Sequence, residues 1–316
     1  MNDRRPYDVI IVGGGPAGLV AGLYCQRAAL RTVLFEKGLI GGQIAISKDV
    51  ENYPGVRGIT GFELAEKLVE QARSFGLEIV NEEITSVEAG TDLHAVRLAG
   101  GSVLRASALI LAPGGTARKL GVPGEAEYLG SGVSYCATCD GFFFRGKDVV
   151  VVGGGDTAVE EALYLARIAR KVRLLHRGDA LRAARILQSR LFAEPGIEIV
   201  PNTIVTEIRG DGKTVNGISF RNTATDDQGE LAADGVFIFI GYDPNNRLIP
   251  PEVIVNEFGF VVTDGKCGTN VPGIFAAGDL RQKFANQIVV AAADGAIAAL
   301  AAARYVEERQ TAPRPA

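Results

Sequence analysis

Asp8-Val-Ile-Ile-Val12 runs directly into Gly13-Gly-Gly-Pro-Ala-Gly18, and these residues decide the fold. The unbroken run of β-branched residues reads as a strand buried on both faces, the mark of a parallel sheet. The glycine turn opens a helix over residues 16–30, with Ala, Leu and Val on its packing face. Residues 31–36 read as the next strand. Gly13 permits the tight turn, Gly15 lets backbone approach a pyrophosphate, and Gly18 lets helix and strand pack closely. Pro16 and Ala17 begin the helix, whose free N–H groups and dipole favour an anion. Glu36 ends the second strand, where a carboxylate accepts hydrogen bonds from ribose hydroxyls.

The pattern recurs about 140 residues later. Val149-Val-Val-Val152 is a strand, 156–169 a helix and 171–176 a strand. Gly153, Gly155, Asp156, Thr157 and Ala158 form the second nucleotide turn, Ala replacing the third Gly as the motif permits. No carboxylate ends the following strand. The sequence there is His176-Arg177-Gly178-Asp179-Ala180-Leu181-Arg182. A carboxylate would repel a ribose 2′-phosphate, whereas Arg177 and Arg182 can chelate one, so the site leans toward NADPH over NADH. The bland reading is a packing histidine at a strand end and two solvated arginines at a helix start.

The intervening stretches complete two nucleotide-binding folds. Residues 62–75 form an amphipathic helix. Residues 77–111 alternate like strands and end in the apolar run Ala108-Leu-Ile-Leu-Ala112; residues 197–240 behave alike, ending in Val236-Phe-Ile-Phe-Ile240. Gly273-Ile-Phe-Ala-Ala-Gly-Asp279 is strand into turn, and 287–306 a long Ala-rich helix. The Pro-rich tail Gln310–Ala316 is expected to be disordered. The class is α/β: two Rossmann-like domains of the three-layer ββα type, the second inserted in the first. Turn-rich hinges near 113–118 and 241–246 set the domains at 1–116 with 247–316, and at 117–246.

The 316 residues carry 47% hydrophobic side chains and a net charge of −4. That supports two cores and offers no basic tract for nucleic acid. No uncharged apolar run approaches the roughly 18 residues that cross a bilayer, and no cleavage signal follows the first strand, so a cytoplasmic protein is expected.

Cys136-Ala-Thr-Cys139 stands between the two glycine turns. The two-residue spacing lets both sulfurs meet within one helical turn, so the pair can open and close as a disulfide. Asp140 follows and can give or take a proton during exchange. A zinc site would need two more ligands, and Cys25, Cys267, His94 and His176 stand apart in sequence, so no metal is expected. Cys25 reads as core, and Cys267 receives no role. Phe142 and Phe143 read as core residues, with partner docking as the alternative.

With these residues in place, the chain resembles the bacterial low-molecular-weight thioredoxin reductases over essentially its full length. The resemblance rests on the Val12–Leu19 turn, Gly41-Gly42-Gln43, Glu51-Asn52-Tyr53-Pro54-Gly55, Cys136-Ala-Thr-Cys139-Asp140-Gly141, Gly153–Ala158 and Gly273–Asp279. It implies FAD on the first domain, with Gly42, Gln43 and Asn52 at the flavin, Gly278 and Asp279 at the ribityl chain, and Gln287 and Ile288 beside them. It implies NADPH or NADH on the second. Cys139 would face the flavin and bond transiently to its ring, Cys136 would exchange with the disulfide of thioredoxin or a thioredoxin-like protein, and Asp140 would protonate the departing sulfur. It further implies a large domain rotation and a homodimer. Three residues depart from the family pattern: Gly178 where a second Arg is usual, Pro113 where Thr is usual, and Asn286 where Arg is usual. They keep open a different electron donor, ferredoxin or another flavoprotein, or a dithiol oxidase. A non-catalytic redox sensor is the reading from another class.

Overall fold

A computed structural model describes residues 5–47, 50 and 52–311. The chain divides into two compact units, Met1–Thr116 with Asp243–Ala316, and Ala117–Tyr242.

The first unit opens with β1 (Tyr7–Val12), α1 (Pro16–Arg27), β2 (Thr32–Glu36), α2 (Gly61–Ser74), β3 (Glu78–Asn81), β4 (Ile84–Glu88), β5 (His94–Leu98) and β6 (Val103–Leu111). Helix α1 stops short of residue 30 because Ala29 takes a left-handed φ of 55° and the Leu30 N–H returns to the Cys25 carbonyl. That closure satisfies helix-end carbonyls otherwise left without donors. Helix α2 starts on a capping box: the Thr60 hydroxyl accepts the Glu63 N–H, and the Glu63 carboxylate accepts the Thr60 N–H.

The chain leaves this unit through β7 (Gly115–Ala117). The second unit holds β8 (Val133–Ser134), α3 (Ala137–Asp140), β9 (Asp148–Gly153), α4 (Asp156–Ala166), β10 (Lys171–Leu175), α5 (Arg185–Phe192) and β11 (Ile197–Val200). It continues through β12 (Thr203–Gly210), β13 (Val215–Asn222), β14 (Gln228–Ala232) and β15 (Gly235–Phe239). Strand β16 (Tyr242–Pro244) runs back and pairs with β7. The first unit finishes with β17 (Ile274–Ala276) and α6 (Ile288–Thr311), so Gln310 and Thr311 are helical rather than part of a disordered tail. The rest of that tail, and Glu51 of the Glu51–Gly55 motif, lie outside the described residues.

In the first unit β3, β2, β1 and β6 pair in parallel order. Strand β6 changes partner along its length. Val103–Ala106 pair antiparallel with β5, while Leu109–Leu111 pair parallel with β17. The parallel sheet therefore forks into an antiparallel β4–β5 flap. Side chains of β1 alternate: Val9 and Ile11 enter the core under the helices, Ile10 and Val12 the core on the flap side. Residues Ala291, Ala298 and Ala302 of α6 lie in the helix-side core with Ala17 and Ala21 of α1. A methyl group on Gly295 would lie 2.1 Å from the Ala17 carbonyl oxygen, so only glycine permits this helix crossing. Helix α6 has the length and apolar composition to cross a membrane, and 33% of its most apolar stretch is buried within the protein.

In the second unit the parallel order is β11-β10-β9-β15-β8, and β12-β13-β14 form a separate antiparallel sheet. Val149, Val151, Val172 and Leu174 face the helices α4 and α5, while Val150, Val152 and Leu175 face the antiparallel layer. In both units the strand ends thus deliver a glycine turn to a helix start, where open α/β sheets bind ligands.

Candidate functional site

The first turn is shaped by crowding. Gly13 has φ 105°, and a methyl group there would stand 2.3 Å from the Ala112 oxygen; on Gly18 it would stand 1.9 Å from the Gly13 oxygen. Gly15, the residue capping α1, meets nothing closer than the Gly41 oxygen at 4.0 Å and brings no side chain to the helix amides. The result is an open cradle of backbone N–H groups, which fits a pyrophosphate. Glu36 accepts the Gly14 N–H at 2.7 Å and the Gly38 N–H at 2.8 Å. Its carboxylate is thereby fixed at the turn, where each oxygen keeps lone pairs for ribose. The Gly41 N–H donates to the Gly14 oxygen, laying the Gly41–Gln43 segment along the same turn.

The remaining candidates of this unit lie in three places. Asn52 Nδ2 donates to Gln287 Oε1 at 3.1 Å just before Ile288 begins α6, and Gln43 Nε2 reaches the Gly115 oxygen at 3.5 Å. A Cβ built on Gly278 would touch the Ala17 methyl at 3.0 Å, which sets the Gly278–Asp279 turn against α1. That turn rests on residues the sequence did not single out. Asp294, 4% exposed, accepts the Gly278 N–H at 3.2 Å and pairs with Arg281 at 2.7 Å; Lys283 bridges Asp279 at 2.8 Å and Asp294 at 3.5 Å. A lone aspartate on the packing face of an Ala-rich helix was the available signal. Pro113 lies at the turn as well: its Cα would be 3.0 Å from a methyl on Gly13, and its oxygen accepts Asn245 Nδ2 at 2.8 Å. Asn286 is exposed.

The second turn repeats the plan. A Cβ on Gly153 would meet the Phe239 oxygen at 2.5 Å and Ala158 at 2.6 Å, while Gly155 has nothing within 4 Å and caps α4 without a side-chain bond. Thr157 is exposed beside it. Asp156 turns aside to accept the Ala184 N–H at 2.7 Å, and the N–H groups of Arg182 and Ala183 donate to the Gly154 oxygen. These bonds fix the loop that carries Arg177 and Arg182, both exposed. His176 is 7% exposed, packed against Gly154, with Nε2 3.0 Å from the Ala180 oxygen. Its position is that of a residue shaping the loop from beneath.

The dithiol occupies the second unit. Cys136 and Cys139 are joined as a disulfide, with Cα atoms 5.3 Å apart, across the α3 turn. Cys136 Sγ accepts the Cys139 N–H at 3.2 Å and lies 3.4 Å from the Thr138 hydroxyl. Asp140 accepts the Ser134 hydroxyl at 2.5 Å, and the same hydroxyl oxygen accepts the Cys136 N–H at 3.0 Å. Ser134 therefore ties the acid to the backbone of the cysteine, a link that spacing alone did not reveal. Glu161 of α4 accepts the Ala137 N–H at 3.0 Å. Burial pushes its carboxyl above the ordinary range, against the lowering effect of the Ala137 and Thr138 amides. Phe142 and Phe143 are 55% and 39% exposed, which corrects their reading as core; Phe144 fills that role, edge-on to Phe237. The thiols of Cys25 and Cys267 are buried, and burial pushes them up to about 12 and about 11.

Comparison with known proteins agrees with this geometry. Residues 7–295 match the family model described as pyridine nucleotide-disulphide oxidoreductase. The thioredoxin reductase of Bacillus subtilis is 47% identical over 310 residues, covering 98% of each chain. That of Listeria innocua is 46% identical, covering 98% of this chain and 97% of its own. The crystal structure of thioredoxin reductase from Streptococcus pyogenes superposes with a TM-score of 0.92 at 42% identity, covering 96% of this chain and 98% of the other.

Proposed function

We propose, given that the chain belongs to the pyridine nucleotide-disulphide oxidoreductases and within them to the thioredoxin reductases, that it binds FAD on the first glycine turn and NADPH on the second and reduces thioredoxin through Cys136 and Cys139. The observation that carries the reading is the closed Cys136–Cys139 pair on a turn whose acid, Asp140, is anchored through Ser134 to the same cysteine.

Bound FAD would supply a two-electron carrier between the reduced nicotinamide and the disulfide. The first turn cradles its pyrophosphate with the Gly13–Gly18 backbone, and Glu36 holds the ribose. Gln43, Asn52, Gly278, Asp279, Gln287 and Ile288 line the flavin end. The second turn holds the nicotinamide dinucleotide through Gly153, Gly155, Asp156, Thr157 and Ala158, with Arg177 and Arg182 on the 2′-phosphate.

Reduction adds two electrons and two protons to the pair and opens it to two thiols. The Cys136 thiolate attacks one sulfur of the thioredoxin disulfide; that S–S bond breaks, and a Cys136–thioredoxin disulfide forms. Asp140 gives a proton to the departing thiolate. The Cys139 thiolate then attacks Cys136 Sγ, restores the internal disulfide and releases the second thioredoxin thiol. Exposed Phe142 and Phe143 beside the turn offer an apolar rim for the partner. A cytoplasmic homodimer that engages neither membrane nor nucleic acid belongs to the same proposal.

Gly178 leaves one guanidinium fewer for the phosphate, so discrimination between NADPH and NADH rests on Arg177 and Arg182. The test is anaerobic mixing of the yellow protein with each nucleotide while flavin absorbance is followed by stopped flow. Fast bleaching by NADPH is expected. Bleaching by neither nucleotide, with bleaching by dithionite, would overturn the nucleotide donor and point to ferredoxin or another flavoprotein.

A further inference from the structure

Among the described residues, Glu161 brings a carboxylate from a neighbouring element against the backbone of the Cys136–Cys139 turn. It stands on α4, accepts the Ala137 N–H at 3.0 Å and takes the Thr138 N–H as well. In a Cys-x-x-Cys turn these are among the amides whose partial positive charge can stabilise a thiolate on the first cysteine. Here they are occupied by a charge of the same sign as that thiolate, and the amide turned toward Cys136 Sγ is that of Cys139.

We infer that Glu161 is a positioning residue that keeps the dithiol strongly reducing, by withholding the Ala137 and Thr138 amides from the Cys136 thiolate. A dithiol whose reduced form is stabilised is a strong oxidant; one denied that stabilisation holds its electrons loosely and passes them on. The inference deepens the thioredoxin-reductase reading and rests on it for its purpose, though not for its measurement. Two further carboxylates stand close by: exposed Glu160, next to Glu161 on α4, which raises it further, and Asp140 on the turn. Each adds negative charge beside the thiolate. The partial burial that raises the Glu161 carboxyl means that a new negative charge nearby is poorly screened.

The test equilibrates the holoenzyme with graded ratios of reduced and oxidised dithiothreitol at pH 7, with no thioredoxin present. The balanced exchange converts enzyme disulfide plus reduced dithiothreitol into enzyme dithiol plus oxidised dithiothreitol. Thiols are trapped by alkylation and counted by mass. Glu161→Gln keeps an acceptor for the amides and removes the charge. It is expected to shift the equilibrium about tenfold toward the dithiol, ~30 mV. Glu160→Gln, the same charge change off the turn, is expected to shift it less than twofold. An unchanged or more reducing Glu161→Gln, or an equal shift in Glu160→Gln, would overturn the inference. A second measurement needs no variant. In the reduced native enzyme, alkylation of Cys136 against pH is expected to titrate no lower than the ordinary thiol range near 8.5. Titration well below 7 would overturn the inference. Thioredoxin turnover by the native enzyme tests the underlying reading separately.

Discussion

At the scale of single residues, the chemistry divides into groups visible in the sequence and groups that only folding supplies. The glycines of both turns were legible because their constraint is steric and local. A side chain on Gly18 would press on the Gly13 oxygen five residues back. The cysteine pair was legible for the same reason. Ser134, Glu161 and Asp294 were not, since each acts across the fold and its residue type is ordinary on a surface. Four outcomes follow at this scale. Cys139→Ser is expected to abolish thioredoxin reduction while the yellow flavin stays bound, checked by activity and absorbance together. Asp140→Asn keeps an acceptor for Ser134 and loses the proton, so turnover is expected to fall about 100-fold with KM for thioredoxin little changed. Gly178→Arg has room, since a Cβ there meets His176 Nε2 only at 3.4 Å. The added guanidinium is expected to raise the NADPH to NADH ratio of kcat/KM about tenfold. Under native conditions two of the four thiols of the reduced enzyme are expected to alkylate, because burial holds Cys25 and Cys267 in the protonated form.

Among the elements, β5 carries a pH-sensitive residue that the mechanism does not use. His94 is 1% exposed; its Nδ1 accepts the Gly90 N–H at 3.2 Å, and the ring bonds the Pro272 carbonyl. Burial lowers its pKa, helped by the charge of Arg309 and opposed by the Pro272 bond. The folded state therefore binds this proton less readily than the unfolded chain does. The stability His94 contributes is complete above its unfolded pKa near 6.5 and is lost as pH falls from there through the lowered folded value. Denaturant melts at several pH values are expected to show this loss, and His94→Asn to flatten it. The helix pair α1 and α6 offers a packing test. Gly295→Ala would set a methyl 2.1 Å from the Ala17 oxygen, forcing the helices apart at a cost of about 1–3 kcal/mol, measurable as a lower urea midpoint.

For the whole molecule, the βαβ repeats were readable because parallel strands buried on both faces leave continuous apolar runs, as in Val9–Val12 and Val149–Val152. The antiparallel parts were readable as strands but not as layers. Nothing in the alternation of 77–111 tells that β6 pairs with β5 over one half and β17 over the other, because β17 arrives more than 150 residues later. The exposure of Phe142 and Phe143 was missed because three consecutive phenylalanines look like core, and only the path of the chain after α3 decides which one turns inward. Electrons are proposed to leave through the cysteine pair to a partner disulfide. The most direct measurement is NADPH consumption by the native enzyme and by Cys139→Ser, with oxidised thioredoxin as acceptor and released thiols counted. The expected result is two thioredoxin thiols for each NADPH with the native enzyme and none with the variant; a fully active Cys139→Ser, or a native enzyme that leaves thioredoxin oxidised, would contradict it.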